Sequence, residues 1–167
     1  MTASSKQNPK PVTLERSYEG TPEELWELWT TKEGFEAWWG PVGFRVEVQS
    51  IEPEVGGSLS YSMIAAAPEQ IAAMKAMGQP IAHGTTGTFT VVEPHKKLSI
   101  RHMIDFIAGV EPYEHTMTVV FEAVGSQTRM TIHFDPHNTE AFTKMATEGM
   151  ESQLTKLPGV LLERRKA

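Results

Sequence analysis

Residues 35–44 read FEAWWGPVGF and mark the point where a helical region gives way to a strand. Adjacent residues on a helix lie about 100° apart, so Trp38 and Trp39 cannot face the same way. The spacing of three predicts that Phe35 and Trp38 form a buried pair, while Trp39 is expected at a pocket mouth or in solvent. The Gly-Pro pair that follows should end the helix and redirect the chain into a strand beginning near Phe44.

The other two tryptophans lie just upstream, in a segment with clear helix-start signals. Thr21 is predicted as an N-cap, with Pro22 at the first helical position and Glu24 completing a capping box. Trp26 and Trp29 then fall on the apolar face of this short helix. We expect both to anchor the short helices across one end of a sheet.

Beyond these helices, the period of the sequence changes from helical spacing to strict alternation. Alternation of apolar and polar residues is typical of antiparallel strands with one covered face. A first strand is predicted before the helices, at Val12–Tyr18. The positions of the later strands that this alternation places on the covered face are Phe44, Val46, Val48, Leu59, Tyr61, Met63, Phe89, Val91, Leu98, Ile100, His102, Ile104, His115, Met117, Val119, Phe121, Met130, Ile132 and Phe134.

Two further helices are predicted from composition and spacing. A long C-terminal helix should follow Asn138 as its N-cap, because apolar residues recur at helical spacing as far as Leu157. Pro158 is expected to end or kink that helix, which leaves its continuation open. Residues 65–80 (AAAPEQIAAMKAMGQP) separate two strands that a few residues could join, which predicts a helical insertion, either a lid or a packed excursion.

The composition limits the class of function. The 167 residues include 15 basic and 21 acidic side chains, and the net charge of −6 argues against nucleic-acid binding. The absence of cysteine fits a cytoplasmic location. Residues 1–11 are predicted to be a flexible polar tail, residues 12–167 a single domain, and no apolar run approaches the ~20 residues that cross a bilayer.

Three stretches together resemble a known superfamily. They are WELWTTKEGFEAWWGPVGF (26–44), EPEVGG (52–57) and GMESQL (149–154). The chain resembles the START-like, helix-grip (SRPBCC) superfamily from roughly Val12 to Leu157, and within it the group named for the activator of the heat-shock-protein-90 ATPase. The resemblance implies an α+β fold in which a curved antiparallel sheet of about seven strands grips the C-terminal helix around an internal cavity. Met150 stands where many relatives carry tryptophan, which would reshape that cavity.

The alternation places three polar side chains, Tyr61, His102 and His115, on the inward face. We expect His102 opposite Met117 and Ile104 opposite His115, so that the two histidines are diagonal neighbours. Buried imidazoles need partners. The partner of each imidazole is either a group of the protein itself (a backbone carbonyl, a trapped water or Tyr61) or a polar group of a bound ligand. A third interpretation is that the histidines act in acid–base catalysis.

The predicted cavity therefore combines aromatic, thioether and imidazole side chains. Methionines suit either ordinary core filling or an adaptable apolar pocket. The candidate ligand-binding residues are Trp39, Tyr61, Met63, Phe89, His102, Ile104, His115, Met117, Met150 and Leu154.

The remaining motifs give weaker indications of function. His133, Asp135 and His137 in HFDPH suggest a metal site, but their alternation parity places them on the solvent face, so no metal site is predicted. The sequence shows no GxSxG elbow, phosphate-cradling loop or HExxH pair, so no catalytic residue and no cofactor are assigned.

We therefore expect a protein that binds a small apolar or amphipathic molecule between the sheet and the C-terminal helix. The first alternative is a chaperone-associated regulator of a heat-shock ATPase, which the resemblance implies. The second is a cyclase, dehydratase or isomerase that uses the same cavity. The absence of a catalytic motif favours a binding protein over an enzyme. The sequence leaves open whether the chain is a monomer or a dimer.

Overall fold

The computed structural model describes residues 10–105 and 109–166. Most of the predicted polar tail and part of the loop before Pro112 therefore lie outside the described residues. The elements in chain order are β1 (Val12–Glu19), α1 (Pro22–Thr30), α2 (Lys32–Trp38), β2 (Phe44–Ile51), β3 (Ser58–Ala65), α3 (Pro68–Ala76), β4 (Ala82–Glu93), β5 (Lys97–Ile104), β6 (Tyr113–Val124), β7 (Gln127–Phe134), α4 (Glu140–Leu154) and α5 (Leu157–Lys166).

The strands form one curved antiparallel sheet in the order β1-β7-β6-β5-β4-β3-β2. The first two strands of the chain are therefore the two edges, and α1 and α2 carry the chain from one edge to the other. The helices α4 and α5 follow the last strand. This architecture confirms the predicted helix-grip fold.

Local signals set the starts of the two short helices. The hydroxyl of Thr21 accepts a hydrogen bond from the backbone N–H of Glu24 at 3.1 Å, and the Glu24 carboxylate accepts from the backbone N–H of Thr21 at 2.9 Å. This capping box satisfies two donors that would otherwise lack partners. Thr31 caps α2 in the same way through the N–H of Gly34, at 3.0 Å.

An aromatic cluster fills one end of the inner face of the sheet. Phe35 and Trp38 are fully buried, as predicted, and Trp38 Nε1 donates to the carbonyl of Leu28 at 2.8 Å. Trp29 is also fully buried, and its ring centroid lies 5.1 Å from that of Trp38. Trp26 is half-buried and contacts Phe121 edge-on at 5.9 Å. We call this the packed end of the sheet.

The prediction that Phe89 and Val91 both face inward is wrong for the second residue. The register of β4 against β5 shifts between these two positions, so Phe89 pairs with Ile100 but Val92 pairs with Leu98. A bulge inserts one extra residue and so reverses the alternation beyond it. Val92, not Val91, therefore packs against the core.

The C-terminal helix differs from the prediction at both ends. Thr139, not Asn138, is the N-cap, because its hydroxyl accepts from the N–H of Phe142 at 3.0 Å. The helix α4 ends at Leu154, before the proline, and α5 begins at Leu157 with Pro158 in its first turn, where a missing N–H does no harm.

Residues 65–80 contain α3, which has no buried residue and contributes no side chain to the cavity described below. Gln70 of α3 lies over the turn at Gly43. No helix in the described part of the chain is both long enough and apolar enough to span a membrane.

Candidate functional site

A cavity of about 330 Å³ lies between the inner face of the sheet and α4, beside the packed end. Four neighbouring strands, β3 to β6, form its floor, and α4 covers it. Its lining residues are Trp39, Pro41, Tyr61, Met63, His83, Thr85, His102, Ile104, His115, Met117, His137, Phe142, Met145, Ala146, Gly149, Met150 and Gln153. This end of the sheet is called the hollow end below.

Small residues of α4 leave the space open. Ala146 and Gly149 lie three residues apart, on the same side of the helix, and both line the cavity. A Cβ added at Gly149 would approach only Pro41, at 3.6 Å. A second glycine, Gly87, pairs with His102 on the sheet, and a Cβ there would lie 3.3 Å from the imidazole Cδ2. Small residues therefore give the cavity its depth and make room for His102.

Trp39 is only 4% exposed, so the expectation of a pocket mouth or solvent is wrong. Trp39 lies just beyond the end of α2 with an extended backbone (φ −68°, ψ 146°), so the 100° helical offset from Trp38 does not apply to it. Its ring stacks on Phe35 with centroids 4.6 Å apart and forms part of the cavity wall.

A chain of polar groups runs from this wall to the floor. Trp39 Nε1 donates to the Tyr61 hydroxyl at 3.1 Å, and that hydroxyl lies 3.5 Å from His102 Nε2. Burial raises the pKa of Tyr61 to about 12 and lowers the pKa of His102 to about 4. Both groups are therefore uncharged at neutral pH. A histidine with so low a pKa is a weak base, which favours hydrogen bonding over proton abstraction.

A second pair of imidazoles lies beside His102. The rings of His115 and His137 stack, with centroids 4.0 Å apart and an angle of 7° between planes. The carbonyl of Asp135 can only accept, so His115 Nε2, 2.7 Å away, donates to it. Burial lowers the pKa of His115, and it lowers the pKa of His137 to about 4. All three imidazoles are therefore neutral at pH 7.

Eight of the ten residues predicted to bind a ligand line the cavity. Phe89 and Leu154 do not: Phe89 is fully buried at the packed end, and Leu154 ends α4 in the core. Whether the eight lining residues contact a ligand stays a prediction. They are Trp39, Tyr61, Met63, His102, Ile104, His115, Met117 and Met150.

The predicted pairing of the two histidines is wrong by two residues. His102 lies directly opposite His115, and Met117 lies opposite Ile100. A shift of two leaves every side chain on the same face, so the inward pattern cannot distinguish these registers. The register depends on where the loop between β5 and β6 begins and ends, and the alternation of inward side chains does not define these points.

The sequence reasoning missed His137. His133 and Asp135 are exposed, as the alternation predicts, but β7 ends at Phe134 and the parity does not extend past Pro136. His137 consequently turns into the cavity, where Tyr113 bonds its Nδ1 at 2.7 Å. Pro136 was the residue in the sequence that could have indicated this end of the alternation. Within the described residues, no group of three His, Asp or Glu side chains is placed to hold a metal.

Gln153 was also missed, and it is the one buried polar residue that α4 contributes to the cavity wall. Its side chain is 4% exposed, and its Oε1 accepts from the backbone N–H of Gly40 at 3.1 Å. The motif GMESQL contains this residue, and its position three after Met150 and four after Gly149 was the signal that places it on the cavity side of α4.

Comparison with known proteins identifies relatives of this arrangement. Residues 19–161 match the family model described as Activator of Hsp90 ATPase homolog 1-like protein. None of the curated proteins compared matches the chain.

Solved structures share the fold at low sequence identity. A Chromobacterium violaceum protein is 19% identical, with 92% of this chain and 97% of that one covered and a TM-score of 0.75. An Arthrobacter aurescens protein is 24% identical, with coverage of 92% and 86% and a TM-score of 0.73. The AHSA1 protein of Silicibacter pomeroyi is 19% identical, with coverage of 92% and 99% and a TM-score of 0.73. At these identities the likeness shows the fold alone.

Proposed function

The chain belongs to the family of Activator of Hsp90 ATPase homolog 1-like proteins, and we propose that it binds a small, uncharged, largely apolar molecule in the cavity between the sheet and α4. The observation that carries this proposal is the cavity itself. Its volume of about 330 Å³ lies at the lower end of the range of small-molecule sites, roughly 300–1,000 Å³.

The chemistry of the wall supports an uncharged occupant. None of the described residues that line the cavity is Lys, Arg, Asp or Glu. The four imidazoles of the lining, those of His83, His102, His115 and His137, are neutral at pH 7 because burial lowers their pKa values. A charged ligand would lose its hydration without gaining a counterion, which costs several kcal/mol.

The shape of the wall supports an adaptable fit. Met63, Met117, Met145 and Met150 contribute flexible thioethers from three sides. Such side chains adjust to apolar groups of different outline and contact aromatic rings favourably. Met145 is 60% exposed, which places the opening of the cavity beside the first half of α4.

A bulky side chain in the cavity tests the proposal. 2-Isopropylnaphthalene should raise the thermal midpoint of the wild-type protein, because a ligand that binds only the folded state stabilises it. Ala146→Trp should remove that shift by filling the cavity. Ala141→Trp, on the exposed first turn of the same helix, is the matched control and should keep it. Equal shifts in both variants would place the probe elsewhere, and no shift in wild type would count against the proposal.

A further inference from the structure

The side-chain amide of Gln153 is held in a single orientation. A backbone N–H can only donate, so the atom that faces the N–H of Gly40 must be the amide oxygen, at 3.1 Å. The nitrogen, Nε2, therefore lies on the other side of the amide. Gly40 belongs to the turn between α2 and β2, so this contact ties α4 to that turn and fixes the direction of the amide.

Gln153 Nε2 has no hydrogen-bond partner among the residues that the structure describes. Every other buried side-chain nitrogen or oxygen in that part of the chain has one. Native structures seldom leave a buried donor unsatisfied, because the loss of hydration costs about 1–3 kcal/mol. A glutamine with an unsatisfied donor in a cavity wall is therefore better explained by a missing partner than by packing.

We propose that Gln153 Nε2 donates a hydrogen bond to an uncharged oxygen acceptor of the bound molecule, such as a ketone, ester or amide carbonyl. This inference rests on the proposed binding function and names its specificity-determining residue. The acceptor would lie beside Gly40 and Trp39, with the apolar body of the molecule among the methionines. A hydrocarbon of the same shape would leave the amide donor unpaired and would bind less tightly.

The surroundings distinguish a carbonyl from a carboxylate. A primary amide could donate to either, but no described lining residue carries a positive charge. The imidazoles cannot supply one at pH 7, since their pKa values are lowered by burial. A carboxylate beside Gln153 would therefore be a buried, uncompensated charge.

Two probes of similar size test the inference. 2-Acetylnaphthalene has a carbonyl oxygen where 2-isopropylnaphthalene has a methyl group. Their dissociation constants for wild type and for Gln153→Met give two ratios, and hydration differences between the probes cancel when these ratios are compared. The preference for the ketone should fall about tenfold in Gln153→Met, the effect of one buried hydrogen bond.

Ser152→Ala is the matched control. Ser152 accepts from the N–H of Val42 at 3.0 Å, so this variant weakens the neighbouring contact between α4 and the same turn but leaves the cavity donor in place. Its ratio should equal that of wild type. An unchanged ratio in Gln153→Met, with both probes still bound, would overturn the inference and leave the proposed function standing. If neither probe binds wild type, both proposals fail.

The carbonyl stretching band gives a readout that does not depend on stability. In complex with wild type, the band of 2-acetylnaphthalene should lie at lower frequency than in complex with Gln153→Met, because donation to the oxygen weakens the C=O bond. Equal frequencies would show that Gln153 does not reach the carbonyl.

Discussion

The packed end and the hollow end occupy the same inner face of one sheet, yet side chains fill one and leave an open cavity of about 330 Å³ at the other. Identical alternation runs through both, and single strands cross from one to the other: β6 contributes Phe121 to the packed end and His115 to the hollow end. The difference lies in what covers the sheet. Indoles of α1 and α2 fill the packed end, whereas α4 presents Ala146 and Gly149 over the hollow end.

The two ends also differ in how their buried polar atoms are satisfied. At the packed end the aromatic rings satisfy their polar atoms internally, as Trp38 Nε1 does with the carbonyl of Leu28. At the hollow end an amide nitrogen has no described partner, and burial keeps four imidazoles neutral. Native cores rarely leave a buried donor unsatisfied, so the hollow end fits the proposed binding site and the packed end fits a structural core.

The largest expected effect comes from emptying the packed end. Trp38 is fully buried and contacts both Trp29 and Trp39. Trp38→Ala should lower the free energy of unfolding by about 3–5 kcal/mol, because it leaves a cavity that rigid neighbouring rings cannot fill. Urea unfolding at pH 8 measures this loss. A loss below about 1 kcal/mol would show that the two ends do not differ in packing as described.

A smaller effect comes from charging the hollow end. Burial lowers the pKa of His102 from 6.5 to about 4, so protonation favours the unfolded state. The stabilisation is complete above about pH 6.5 and is lost as the pH falls towards 4. From this residue we expect a loss of about 2 kcal/mol between pH 8 and pH 5.

His102→Phe isolates that contribution, because His115 and His137 remain and keep their own lowered pKa values. Urea unfolding of both proteins at pH 8 and pH 5 should show a pH-dependent loss that is smaller in the variant by about 2 kcal/mol. The same loss in both proteins would mean that His102 is not buried as a neutral group.

The smallest effect has the opposite sign. Gly149 lies within α4, and an added Cβ meets only Pro41, at an ordinary contact distance of 3.6 Å. Gly149→Ala should raise the free energy of unfolding by about 0.5–1 kcal/mol, since alanine restricts the unfolded chain and favours helix. Urea unfolding checks this as well. Destabilisation would mean that Gly149 lies closer to Pro41 than the contact distance of 3.6 Å indicates.

Much of the fold could be predicted from local rules. The capping box at Thr21 and Glu24 is a short-range signal, and it fixes the start of α1 as predicted. Alternation assigned faces correctly wherever a strand is regular. It failed at Val91, because a bulge reverses the parity, and at His137, because the parity ends with β7 at Phe134.

The candidate site was less predictable, because its polar features depend on long-range contacts. Gly40, which donates to the amide oxygen of Gln153, lies more than a hundred positions away in the sequence. No short sequence window therefore contains both residues. The stacking of His115 on His137 likewise requires β6, the end of β7 and the start of α4 together. Sequence could place inward methionines and histidines, but not the contact with Gly40 that fixes the amide of Gln153.

The central proposal is that the hollow end takes up an apolar molecule. Methionine methyl groups labelled with ¹³C report this directly, because a bound naphthalene ring shifts nearby methyl resonances. On titration with 2-isopropylnaphthalene, we predict shifts for Met63, Met117, Met145 and Met150. Met130, fully buried at the packed end, and Met77, exposed after α3, should not move. Unchanged cavity methionines at saturating probe, or shifts confined to Met77, would contradict the claim.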